Sequence, residues 1–120
     1  MANEQLAQLI RELYQATVDG RVIWEETATE DDFRVGLGQG LVRIWKGAHT
    51  HTCHISLINK HGRIVDEVGG SDLGEDDYLL LQDLYRMARS SALKENEIVN
   101  SMLSDLKAGR TRELPSENAL

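Results

Sequence analysis

The sequence has one cysteine, one proline, one phenylalanine, and aromatic residues at only 5% of its 120 positions. A single cysteine cannot close an internal disulfide. That excludes a disulfide-stapled scaffold and makes a reducing, cytoplasmic setting the expectation. Basic residues are also scarce, 13 Lys and Arg against 20 Asp and Glu, for a net charge of −7. Duplex binding rests on neutralising phosphates with Lys and Arg, so nucleic acid is not an expected partner. An anionic membrane surface is excluded on the same ground. No apolar run approaches the ~18 residues of a bilayer span. The opening stretch MANEQLAQLIREL lacks the basic start and continuous apolar block of a secretion signal.

What the chain does have is apolar residues at 41%, enough for the core of one domain. Leu6, Leu9, Ile10, Leu13 and Tyr14 recur at helical spacing, which predicts a helix over 3–18 with Asn3 as its cap and Gly20 past its end. From Arg21 the period becomes two. Val22–Thr27, with Ile23 and Trp24, reads as a short strand, and Thr29–Asp32 as a polar turn. Phe33, Val35 and Leu37 alternate with Arg34 and two glycines, a half-buried strand. Gly38-Gln39 suits a type II′ hairpin, returning as Leu41–Lys46. That register sets Val35 opposite Val42 and Phe33 opposite Ile44. Gly47-Ala48 breaks the sheet. Thr50–Asn59 is the next strand, Asn59–Gly62 a type I turn with a glycine bulge, and Arg63–Val68 the last strand. Leu80, Leu81, Leu84, Tyr85 and Ala88 then form one helical stripe, and Ile98, Val99, Met102, Leu103 and Leu106 a second. The pattern allows one long helix or two with a break near Leu93–Asn96. Acids at Asp72–Asp77 suit the start of this region and Lys107 its end. Gly109 stops it.

The expected architecture is an α+β two-layer sandwich: an N-terminal helix, an antiparallel meander of four or five strands, and a long C-terminal helix or helix pair. One domain spans 1–109, followed by a flexible tail at 110–120. The core face of the sheet would carry Phe33, Val35, Leu37, Val42, Ile44, Cys53, Ile55 and Leu57. The other face would carry Leu41, Trp45 and Ile58 among Arg34, Arg43, His54 and Ser56.

Two clusters invite a chemical reading. His49, His51 and Cys53 would share one face if all lie on a strand, and imidazole with thiolate suits zinc. The competing account makes Cys53 a small buried hydrophobe that continues the row of Ile55 and Leu57, with the histidines at the exposed strand start. A His51–Cys53 nucleophile pair lacks the sharp turn or helix start that would activate a thiol. The second cluster is Arg34, Arg43, Trp45 and His54 on the outer face. Arg34 and Arg43 fall directly opposite each other, an unfavourable pairing that a carboxylate, an anionic ligand or an acidic surface would relieve. Gly36–Gly40 matches neither phosphate-binding glycine pattern, and the acids at 66–83 lack the spacing of a calcium loop.

No catalytic set emerges and no cofactor is implied. The expectation is a small acidic protein-interaction module without catalytic activity, of adaptor, chaperone-like or immunity-like type. It would form a homodimer through the outer sheet face or the C-terminal helical region, with a further protein partner in reserve. The alternative is a small-molecule or anion-binding domain, an enzyme among the options, that uses the outer sheet face.

Overall fold

The computed structural model describes residues 4–49 and 51–111. Asn3, Thr50 and residues 112–120, expected as a cap, the start of a strand and most of a tail, lie outside the described residues. The fold is α+β. Helix α1 (Glu4–Val18) is followed by strands β1 (Glu25–Glu26), β2 (Asp32–Leu37), β3 (Gly40–Lys46), β4 (Cys53–Asn59) and β5 (Ile64–Gly69). A short 3-10 turn (Gly70–Asp72) leads into α2 (Glu75–Ala92) and α3 (Glu95–Ala108). The five strands form one antiparallel meander in the order β1-β2-β3-β4-β5.

Local chemistry explains the turns. β2 and β3 are joined by Gly38-Gln39, and only the first of these has a positive φ (+56°), as a type II′ turn requires. The resulting register pairs Val35 with Val42, Phe33 with Ile44 and Arg34 with Arg43. Between β4 and β5, Asn59 Oδ1 accepts from the N–H groups of His61 and Arg63, and Gly62 takes the left-handed position (φ +80°). A bulge beside Leu57 and Ile58 then shifts the register of β5.

Both α1 and α2 cover one face of this sheet. Leu6, Ile10 and Leu13 of α1 and Leu81, Leu84, Tyr85 and Ala88 of α2 join Phe33, Val35, Val42, Ile44, Cys53, Ile55 and Val68 in one buried cluster. A two-pronged ion pair from Arg11 to Asp77 (3.2 Å on each prong) ties α1 to the first turn of α2.

Four expectations need correction. The strand expected over Val22–Thr27 is only Glu25–Glu26, because Trp24 turns inward. Its indole N–H donates to Thr17 Oγ1 at 3.1 Å, so the residue serves the α1 contact rather than the sheet. Asp32, expected in a turn, opens β2 and is buried. Leu37, expected in the core, is 38% exposed, and Leu57 is only half-buried. Both lie toward the β2–β3 hairpin end, where they line an open cleft with Leu9. The fourth strand starts at Cys53, and His51 and Thr52, expected within it, precede it.

The C-terminal region is a helix pair. Lys94 adopts a left-handed conformation (φ 55°, ψ 43°), which no α-helix can continue through, and it breaks the chain between the two apolar stripes. None of the 14 residues of α3 is buried. Ile44→Ala, at a fully buried position between sheet and helices, is expected to cost about 2–5 kcal/mol. Leu106→Ala, at a 68% exposed position, is expected to stay within ~0.5 kcal/mol in dilute protein. Urea unfolding measures both, and equal costs would contradict this division of the molecule.

Candidate functional site

The uncovered face of the sheet is built by strand alternation. Asp32 and Arg34 of β2, Arg43 and Trp45 of β3, His54 and Ser56 of β4 and Glu67 of β5 all project to the side away from α1 and α2. All four residues expected there (Arg34, Arg43, Trp45 and His54) share this face. Each is already engaged.

Arg43 Nε lies 2.9 and 2.7 Å from the two carboxylate oxygens of Asp32. Its guanidinium stands 5.4 Å from the centre of the Trp45 ring, within cation–π range. Trp45 stacks on His54 with centroids 4.3 Å apart and 15° between planes. The Trp45 indole N–H donates to Ser56 Oγ at 3.1 Å, and the Ser56 hydroxyl donates to Glu67 Oε2 at 2.7 Å. His54 lies against the backbone of Gly69, where a Cβ would come within 2.2 Å of Nδ1. Only a glycine leaves room for the ring. Arg34 is half exposed, 3.9 Å from Glu25. Among the described residues no buried side-chain polar atom lacks a partner.

The like charges of Arg34 and Arg43 are therefore relieved from within the chain, by Glu25 on one side and Asp32 on the other. Period-two alternation already puts Asp32 on the face of Arg34, so that partner was within reach of the sequence pattern. Ser56 is expected on this face by alternation along its strand, whereas Glu67 and Gly69 give no such signal, because their places depend on the pairing of β5 and its bulge.

The other cluster does not assemble. His49 and His51 precede β4, both are exposed, and His51 has a left-handed φ of 56° in the tight loop that returns Thr52 to Gly47. The alternation that would align them with Cys53 is missing. Among the described residues no three His, Cys, Asp or Glu side chains are grouped to hold a metal ion. Cys53 is 3% exposed on the core side. Burial pushes its thiol above the ordinary range, against a weaker pull from Lys46. Tyr85, on the same side against Phe33, is pushed up to about 12, mainly by burial and secondly by Asp31. Asp32, across the sheet from both, is raised above the usual carboxylate range by burial, which outweighs the lowering by Arg43. The Cys53 and Tyr85 shifts both favour the neutral, less reactive form at neutral pH. A buried thiol is held as the weakly nucleophilic S–H.

No protein-family model, no curated protein and no solved structure matches this chain. Among the described residues no helix is long and apolar enough to cross a membrane.

Two measurements check this account. A carboxyl with a raised folded-state pKa adds its full stability at low pH and loses it as pH rises through that value. Arg43→Met removes the interaction that lowers the Asp32 value and so raises it further. The variant is expected to lose about 2–3 kcal/mol at neutral pH, less than a fully buried pair because Arg43 keeps 30% exposure. The loss should shrink as acid protonates Asp32, whereas a pH-independent loss in urea unfolding would contradict the pairing. Separately, a thiol reagent at neutral pH is expected to leave native Cys53 unmodified and to label it fully in denaturant.

Proposed function

We propose that this chain is a non-catalytic interaction module that works as a homodimer, with α3 as its contact element. The observation that carries the reading is the exposed apolar stripe of α3. Ile98, Val99, Met102, Leu103 and Leu106 are between 47% and 68% exposed, and no residue of the helix is buried. A helix folded on its own chain for structure alone buries its apolar face. Here that face is open, while α1 and α2 bury theirs. Exposed contiguous apolar surface of this kind marks an interaction site.

The outer sheet face supports the same reading by elimination of need. Its charges are matched, its ring faces are stacked, and Ser56 is fully covered although no helix lies over it. That face can meet water without a partner. Leu41, Ile58 and Ile64 stay partly open on the outer sheet face, and α3 carries the longer run of exposed apolar groups.

Light scattering of the full chain at micromolar concentration is the test. The expected mass is twice the 13.5 kDa of one chain, falling toward one chain on dilution. Met102→Glu is expected to give the single-chain mass throughout, with the far-ultraviolet circular dichroism of the folded protein. A single-chain mass for the parent protein at every concentration would refute the homodimer.

A further inference from the structure

We infer that α3 pairs antiparallel with α3 of a second copy, in a register centred on Met102. This rests on the homodimer reading above and adds the orientation and the contacts. The occupant is argued from three features of the helix itself.

The first is the pattern. From Glu95 the apolar positions fall at i+3, i+4, i+7, i+8 and i+11, one stripe along the whole helix. Met102 lies midway between Ile98 and Leu106. A two-fold axis at Met102 sets Ile98 opposite Leu106 of the second copy and repeats that contact on the other side. The apolar stripe thus meets itself end to end, as an isologous interface demands.

The second is charge. The head of the stripe carries Glu95 and Glu97 against Lys94, a net negative end, and the far end carries Lys107 and Arg110 against Asp105, to which Arg110 is already paired, a net positive end. Antiparallel pairing brings the negative end of each copy toward the positive end of the other and sets the helix dipoles in opposition. Parallel pairing sets Glu95 against Glu95 and Lys107 against Lys107, which is repulsive at both ends.

The third is area. Five roughly half-exposed aliphatic side chains leave on the order of 100 Å² each open. Complete coverage of these side chains would bury about 500 Å² per copy and ~1,000 Å² for a pair, the size of a weak, reversible interface. The helix is therefore large enough for a reversible dimer without help from the sheet.

Cysteine cross-linking in the full chain tests the register, since native Cys53 is buried and the parent protein serves as the blank. Under mild oxidation Met102→Cys is expected to form a covalent dimer, because the two sulfurs meet at the axis. Ile98→Cys alone and Leu106→Cys alone are expected to remain unlinked. The two copies of each site lie ~12 Å apart along the helix at 1.5 Å per residue, beyond the ~7 Å that a disulfide can span. An equimolar mixture of these two variants is expected to give the mixed dimer. Self-linking of Ile98→Cys and of Leu106→Cys would show parallel pairing and overturn the inference. A dimer by mass in which Met102→Cys never links would also overturn it, while sparing the homodimer reading. A single-chain mass at all concentrations overturns both and assigns the stripe to a different protein.

Discussion

Ile44 and Ile55 face each other across β3 and β4 with no exposure on either side chain. One residue along each strand the pleat reverses, and Arg43 faces Ser56 while Trp45 faces His54 on the opposite surface. This central ladder sorts the whole molecule. It presents α1 and α2 with the apolar row of Val42, Ile44, Cys53 and Ile55 and sends Arg43, Trp45, His54 and Ser56 to the far side, while Lys46 and Asn59 at the strand ends fall on the helix side. A slip of one residue would exchange the two surfaces, burying Arg43 under the helices and exposing Ile44. The cost of burying that charge fixes the register as firmly as the hydrophobic gain does.

The far side meets its own needs because its polar groups are matched in kind. A guanidinium finds a carboxylate, an indole N–H finds a hydroxyl, and that hydroxyl finds a second carboxylate. The stacked rings of Trp45 and His54 roof the middle of the sheet, so Ser56 is fully buried on a face that carries no helix. Gly69 makes this possible from below by letting His54 lie on the backbone. The carboxylate of Asp32 bears the strain of the arrangement. It is 3% exposed, and the proximity of Arg43 only partly offsets the desolvation that lifts its pKa.

What could be read from the sequence was local. The Gly38-Gln39 turn, the Val35–Val42 and Phe33–Ile44 pairs, and the Asn59–Gly62 turn each depend on a few adjacent residues, and each is found as the pattern requires. So is the common face of Arg34, Arg43, Trp45 and His54. The departures share a different cause. Trp24 leaves its strand for a hydrogen bond to a helix. Leu37 is exposed because the helices stop covering the sheet before the hairpin tip, and His51 leaves the strand because a loop closes from Gly47 to Thr52. These depend on where distant elements end, which periodicity does not encode. The partner that β5 supplies to the outer face was hidden for the same reason. Glu67 reaches Ser56 only through a register that a bulge has shifted.

The ends of α3 connect these constraints to association. Its C-terminus is fully built: Gly109 takes the left-handed conformation, its N–H donates to Leu106 O, and the Arg110 N–H donates to Asp105 O at 2.8 Å. This is the paired bonding that stops a helix cleanly. Its N-terminus is not built in the same way. Lys94 occupies the capping position in a conformation unfavourable for a residue with a Cβ, and no side chain caps the first N–H groups. A 14-residue helix is marginal alone in water, and its own chain buries no residue of α3 completely. In the homodimer proposed above, the second copy supplies that burial, so the free energy of forming the helix and that of occupying its apolar stripe are linked. The strained joint at Lys94 completes that link. It turns the second stripe away from the core that buries the first.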